Sequence, residues 1–289
     1  MVQPIFQPDA DAMRLHVEHL FGGYLDGCHN GLIELAWTEP TVNVDGKHPL
    51  KHARLFGTDQ IDDLLEEAKR LNSQPMCNVY IGAALRKPGT ELIGRTNDKD
   101  AFALTAAYVD LDDPGAATSV KEVYGKAKPT LIVVTGRAPH TRAQMWWKLD
   151  EPITDPSIWS SLLRGMAAAM KGDSTVTNPA RVMRLAGSIA WPVKDDRKTE
   201  MTGIGQLREP GQSVYAYGHM TALFPPVVSI ASTPVSPVTK KTNSLGLADK
   251  ITDGREGYMT RTIAACLLEF IGTTGCAPSA EEDRKSTRL

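Results

Sequence analysis

Two hydrophobic periodicities alternate along the chain. Between residues 11 and 23, Leu15, Val17 and Leu20 sit among polar neighbours and predict a short amphipathic helix. Gly31 to Trp37 (GLIELAW) is a compact apolar run and predicts a strand. Thr58 to Leu71 is the clearest early helix, with Ile61, Leu64, Leu65 and Ala68 as its apolar face. Thr58 is placed to cap it, and Asp59, Asp62 and Asp63 lie where the amide dipoles favour negative charge. Asn72 and Pro75 end it. Asn78 to Leu85 (NVYIGAAL) predicts a buried strand, and Ala106 to Asp113 (AAYVDLDD) a strand ending in acids. Pro129 to Thr135 (PTLIVVT) is a β-branched strand stopped by Gly136. Gln144 to Leu149 (QMWWKL) predicts another strand before a turn at Pro152. Asp155 to Met170 reads as a helix whose inner side is Ile158, Leu162, Met166 and Ala169. Val182 to Trp191 is mostly apolar, and Ser213 to Tyr217 (SVYAY) predicts a last strand.

The pattern changes at Phe224. Residues 226–250 are rich in proline, valine, serine and threonine without amphipathic order, and read as a flexible linker. Beyond them one helix is expected over Asp253 to Gly272, with Met259, Ile263, Cys266, Leu267 and Phe270 on a face. Residues 251–289 read either as the start of a C-terminal helical region that continues past the chain, or as a segment packing back on the main body. Residues 1–225 then form one α/β or α+β domain, with no internal repeat.

Bulk charge narrows the function less than it does in a basic domain. The formal net charge of -2 lowers the prior for a protein that coats DNA. It leaves open an enzyme whose basic residues gather in one cleft. Cys28, Cys77, Cys266 and Cys276 are scattered and form no Cys-x-x-Cys pair, so buried thiols in a reducing compartment are expected. A mixed cysteine-histidine site stays open, because its ligands meet only in the fold. No stretch approaches the roughly 18 apolar residues of a membrane span. The N-terminus has no basic patch followed by an apolar run. A cytoplasmic protein with no membrane partner is expected.

Asp110 and Asp112 carry the strongest local signal. Residues two apart in a strand share a face, so Tyr108, Asp110 and Asp112 lie on one side and Val109 and Leu111 on the other. Two carboxylates on one face repel, and desolvation adds to the cost. A divalent cation removes both objections; magnesium takes carboxylate oxygens and completes its shell with water and phosphate. A solvated strand end is the plainer alternative. Thr135, Arg137, His140 and Arg142, in a turn between two strands, are all groups that bind phosphate. Asp173 follows a helix, where it either caps a turn or completes a three-carboxylate site. Arg181 and Arg184 are three apart and share a face if that segment is helical. Lys194 is a further basic candidate. Trp146 and Trp147 face opposite ways in a strand, one toward the core and one open to stack on bases. Trp37, Trp159, Trp191, Tyr80 and Tyr108 read as packing residues.

Taken in order, these features resemble the archaeo-eukaryotic primase superfamily, in particular plasmid and phage primase-polymerases fused to a helicase. The resemblance spans roughly residues 55 to 195. It rests on the strand ending in Asp110-Leu111-Asp112, the hairpin Thr135 to His140, Asp173 after a helix, and the segment Arg181 to Gly187. Asn78 to Gly82 is similar to the strand before the first motif. Ala138-Pro139 stands where relatives more often carry a glycine, and Leu185-Ala186-Gly187 replaces a Leu-Pro-Gly turn. The resemblance implies an α+β fold, a primase-like catalytic core with mixed sheets flanked by helices. It implies a DNA primase and DNA polymerase that uses dNTP or NTP substrates on single-stranded or primed DNA, with a fused or associated helicase. Asp110, Asp112 and Asp173 would hold two Mg2+ or Mn2+ ions about 3.5–4 Å apart. His140 would take a nucleotide phosphate, with Thr135, Arg137 and Arg142 in support and Arg181, Arg184 and Lys194 on nucleotide or template.

Two other classes compete. A non-catalytic plasmid or phage replication-initiator module would keep the basic residues and not need the acids. The other is a different metal-dependent phosphoryl enzyme, a nuclease or a DNA-nicking relaxase, of which the relaxase would need a nucleophilic tyrosine and usually a histidine cluster. His48 and His52 have no close histidine downstream, which argues against the relaxase.

Overall fold

A computed structural model describes residues 6–22, 30–42, 48–116, 123–208 and 214–226. The expected linker at 226–250 and the expected helix at 253–272 lie outside them, apart from residue 226. So do Cys28, Cys266 and Cys276; Cys77 is a buried free thiol.

Helix α1 (Ala10–Phe21) starts where the Asp9 carboxylate accepts from the amides of Asp11 and Ala12. Met13, His16, Val17 and Leu20 bury one face at helical spacing. Strands β1 (Leu32–Thr38) and β2 (Leu50–Gly57) pair antiparallel. Helix α2 (Ile61–Asn72) begins three residues later than the sequence suggests. Gln60, not Thr58, stands at its cap, and the Gln60 side chain instead accepts from the Gly57 amide at 2.8 Å. The run Asn78 to Leu85 resolves into β3 (Val79–Gly82) and β4 (Leu85–Arg86). Then come β5 (Ala101–Leu111), β6 (Leu131–Gly136) and β7 (Arg142–Ile153), which runs through Pro152 instead of turning there. Helix α3 (Pro156–Met170) follows the Asp155 cap. The chain continues through β8 (Val182–Arg184), β9 (Ile189–Ala190), β10 (Glu200–Met201), β11 (Gly203–Leu207) and helix α4 (Tyr217–Leu223). In place of a last strand, Tyr215 makes one isolated bridge to Leu149 before α4 begins.

The main sheet runs β11-β6-β7-β5-β4-β1-β3-β8, with β2 on β1, and β9 pairs with β10 apart from it. Every pairing between these strands is antiparallel. Both faces are covered. Trp146 meets His16 of α1 edge-on, and its neighbour Trp147 meets Phe224 beyond α4. Both tryptophans are therefore buried, and neither is open to stack on a base. Trp159 and Tyr108 are core as expected, while Trp37 and Trp191 are only partly buried. The inner side of α3 is Trp159, Leu162, Leu163, Met166 and Met170. Ile158 and Ala169 are exposed, because α3 presents a face rotated from the one the pattern suggests.

Gly187 requires its glycine. Its φ is +75°, and a β-carbon there would stand 2.3 Å from the Asp9 carbonyl. That approach lets the Asp9 amide donate to the Gly187 carbonyl at 2.8 Å, tying the start of α1 to the turn after β8.

Candidate active site

The central strand β5 delivers two acids to a cleft of about 370 Å³. Asp110 is next to last in the strand, and Asp112 follows it. The floor is completed by β6, β7 and β8 through Thr135, Gln144 and Arg184. With its carboxamide turned to satisfy both atoms, Gln144 donates to the Arg184 carbonyl and accepts from the Arg184 amide, at 3.2 Å each. This joins β7 to β8 under the cleft. Four arginines line it (Arg95, Arg181, Arg184 and Arg197), against the two aspartates. The cleft is thus locally positive although the chain is not.

Asp110 is half-buried, and among the described residues its carboxylate makes no hydrogen bond or ion pair. Burial, then the nearby charges of Asp112 and Asp173, push its pKa up to about 7. Asp112 is differently placed. Arg197 donates to its Oδ2 at 2.6 Å, Arg142 Nε stands 3.6 Å from Oδ1, and Lys194 Nζ lies 3.9 Å from Oδ2. Asp173 reaches the site through its backbone, its amide donating to the Asp110 carbonyl at 3.0 Å. Its carboxylate caps the turn that follows, accepting from the Thr175 amide and hydroxyl at 2.8 and 2.7 Å. The described residues hold no group of three or more His, Cys, Asp or Glu side chains arranged around one ion. Asp110 and Asp112 still suit a hard cation. Among the described residues one is unpartnered, and the other is held only by basic side chains that an ion would replace. Two carboxylates completed by water and phosphate are an ordinary magnesium shell.

The histidine hairpin docks on this strand end. His140 Nε2 donates to the Asp112 carbonyl at 2.7 Å. Since a carbonyl only accepts, Nε2 carries the proton, and Nδ1 donates to an anion only as the imidazolium. Arg142 is buried inside the hairpin, donating to the Ala138 and His140 carbonyls and to Glu200. It braces the turn, and its contacts leave it little reach toward a phosphate. Gly136 admits that brace: a β-carbon there would lie 1.9 Å from Arg142 Nη2. The turn amides of Arg137 and Ala138 both donate to the Glu200 carboxylate, Arg137 at 2.9 Å to either oxygen. Thr135 lines the cleft, whereas Arg137 does not.

On the opposite wall, Arg184 lies in a strand and Arg181 just before it, so they are not helical neighbours. Arg184 lies over the Tyr80 ring, 5.0 Å from its centre, and bonds Asn78 and the Tyr80 hydroxyl. Tyr80 is therefore part of the cleft and not simply packing. Arg181 bonds Asn178 at 3.0 Å and the Thr175 carbonyl. Arg95, Arg197 and Glu200 were not legible as site residues. Arg197 sits in the polar run Lys194 to Lys198, where Lys194 was the more obvious choice.

No protein-family model matches the chain, and no curated protein matches it by sequence. Three solved structures are similar in fold. The catalytic domain of primase RepB' in complex with initiator DNA superposes with a TM-score of 0.50 at 16% identity, over 74% of this chain and 92% of that one. The AEP domain of the cyanophage S-2L primase-polymerase gives 0.49 at 21% identity, over 77% and 100%. A second structure of primase RepB' gives 0.49 at 16%, over 74% and 61%. The chain thus has a mixed α/β architecture similar to that of primase catalytic domains. Among the described residues no helix is long and apolar enough to cross a membrane.

Proposed function

We propose that this chain is a template-directed nucleotidyltransferase, a DNA primase and DNA polymerase that uses nucleoside triphosphates with Mg2+ or Mn2+. The observation that carries the reading is Asp110: a half-buried carboxylate without a partner among the described residues, beside Asp112 and facing four arginines. A fold similar to primase catalytic domains supports it. Asp110 and Asp112 would hold the metal, with Asp173 as a third ligand if its carboxylate leaves Thr175. The metal would supply charge neutralisation at the triphosphate and an activated hydroxyl.

The chain's own residues would position and exclude. Arg197 neutralises Asp112 and stands ready to turn to phosphate when a cation takes its place. Arg181, Arg184, Thr135 and Lys194 would bind phosphates of the nucleotide or template. His140 fixes the hairpin against β5 and, when protonated, offers Nδ1 to a phosphate oxygen. Arg137 is carried by the same hairpin. This is catalysis by positioning and electrostatics, without a covalent enzyme intermediate. A single-stranded or primed DNA template and a fused or associated helicase belong to the same proposal, as does a plasmid or phage setting.

A second reading is favoured by one observation, the lack of a three-ligand group among the described residues. On it the basic cleft binds DNA without chemistry, as a replication-initiator module does. Product analysis separates them. The chain is incubated with primed template, labelled nucleotides and Mn2+. Lengthened products support the transferase, shortened ones a nuclease, and a mobility shift alone the initiator.

A further inference from the structure

The connection from β4 to β5 contains a charge arrangement that the chemistry above does not use. Glu34 lies in the middle of β1 and is fully buried. Arg86, also fully buried, donates to Glu34 Oε2 through Nε at 2.9 Å and Nη2 at 2.7 Å. The Thr96 hydroxyl adds a bond of 2.6 Å. Burial alone raises the Glu34 pKa, but Arg86, Thr96 and Arg95 outweigh it and hold the carboxyl ionised, below its ordinary range. Glu34 and Arg86 already make a neutral pair, and a buried pair needs no second cation. Yet Arg95 Nε stands 3.3 Å from Glu34 Oε1. One carboxylate and two guanidiniums leave a surplus positive charge. The surplus is directed outward, because Arg95 is 23% exposed and lines the cleft.

The same cluster holds the loop that carries Arg181. Arg86 donates to the carbonyls of Pro179, Ala180 and Arg181, and Arg95 to that of Ala180 at 3.3 Å. Asp98, on the same connection, accepts from the Asn178 side chain and the Ala180 amide. Two arginines of one cleft wall are thus set by one buried acid. An arginine held by one edge, with donors left over, suits an anion bound in two-pronged fashion.

We propose that Arg95 is a phosphate-binding residue of the cleft and that Glu34 is its positioning residue. The inference rests on the nucleotidyl-transfer reading for the identity of the phosphate, which belongs to the nucleotide or to a DNA strand. The test measures binding. The full chain, Arg95→Ala, Arg95→Lys and Glu34→Gln are titrated with a non-hydrolysable nucleoside triphosphate and Mn2+, and separately with labelled primed DNA over a salt series.

Arg95→Ala keeps the neutral Glu34–Arg86 pair and should melt within a few degrees of the parent. It should bind one of the two ligands about tenfold more weakly or worse. Arg95→Lys should recover only part of the loss, since it keeps charge without the fork. Glu34→Gln should weaken the same ligand although Arg95 remains. A loss confined to the triphosphate assigns the nucleotide. A weaker DNA complex whose salt dependence drops by about one phosphate contact assigns the strand. Parent-like affinity of Arg95→Ala for both ligands overturns the proposal, as does a parent that binds neither. A parent that binds but makes no product defeats the nucleotidyl-transfer reading alone.

Discussion

Replacing Asp110 by asparagine should stabilise the metal-free protein while abolishing nucleotide incorporation. The Asp110 carboxyl is pushed from 3.8 to about 7, first by burial and then by Asp112 and Asp173. In the folded chain it therefore keeps its proton over a range where the unfolded chain has lost it. That favourable difference disappears as pH rises from about 4 through 7, and above 7 the folded state carries the full repulsion. The gap corresponds to at most about 4 kcal/mol. Asp110 opens on the cleft, and solvent screening brings the figure nearer ~2 kcal/mol. For a domain of this size that is a rise in melting temperature of about 4–8 °C. Thermal unfolding in chelator at pH 5, 6, 7 and 8 measures it. The advantage of Asp110→Asn should grow with pH and level off above 7, and added Mn2+ should stabilise the parent but not the variant. A variant less stable than the parent at pH 8, or one whose advantage shrinks as pH rises, would refute the reasoning.

Other perturbations test other links. Glu34→Ala leaves Arg86 buried without its carboxylate and should cost about 3–5 kcal/mol in urea unfolding, far more than Arg95→Ala. Gly187→Ala forces a side chain into a left-handed turn and against the Asp9 carbonyl, and should lower stability by at least about 1 kcal/mol, read by the same denaturation. His140→Ala removes the bond to the Asp112 carbonyl and should weaken nucleotide affinity while the melting temperature moves little. Arg197→Ala removes the cation that Mn2+ must displace from Asp112 and should tighten Mn2+ binding, measured by metal titration.

The parts of this site visible in the sequence are those set by local period. Alternation in β5 puts Asp110 on the face of Tyr108, and the β-branched run before Gly136 fixes the hairpin that carries His140. What escaped depends on contacts far along the chain. Arg197 meets Asp112 across 85 positions, and Arg86 meets Glu34 across 52. One local sign did exist: Glu34 interrupts the apolar run GLIELAW, and a charge inside a buried strand demands a partner. Local pattern also misled. Arg181 and Arg184 share a face only if their segment is helical, and β8 pairs with β3 and makes it a strand. Trp146 and Trp147 do face opposite ways, yet helices cover both sides of the sheet, so alternation could not reveal an exposed ring.

Whether the strand-end acids take a cation together with a nucleotide is read most directly from Mn2+ itself. Electron paramagnetic resonance of the full chain is followed as Mn2+ is added, with and without a non-hydrolysable triphosphate, beside Asp110→Asn and Asp112→Asn. The expected result is Mn2+ bound by the parent, tighter with nucleotide, and lost in both variants. Equal Mn2+ binding by parent and variants would contradict it.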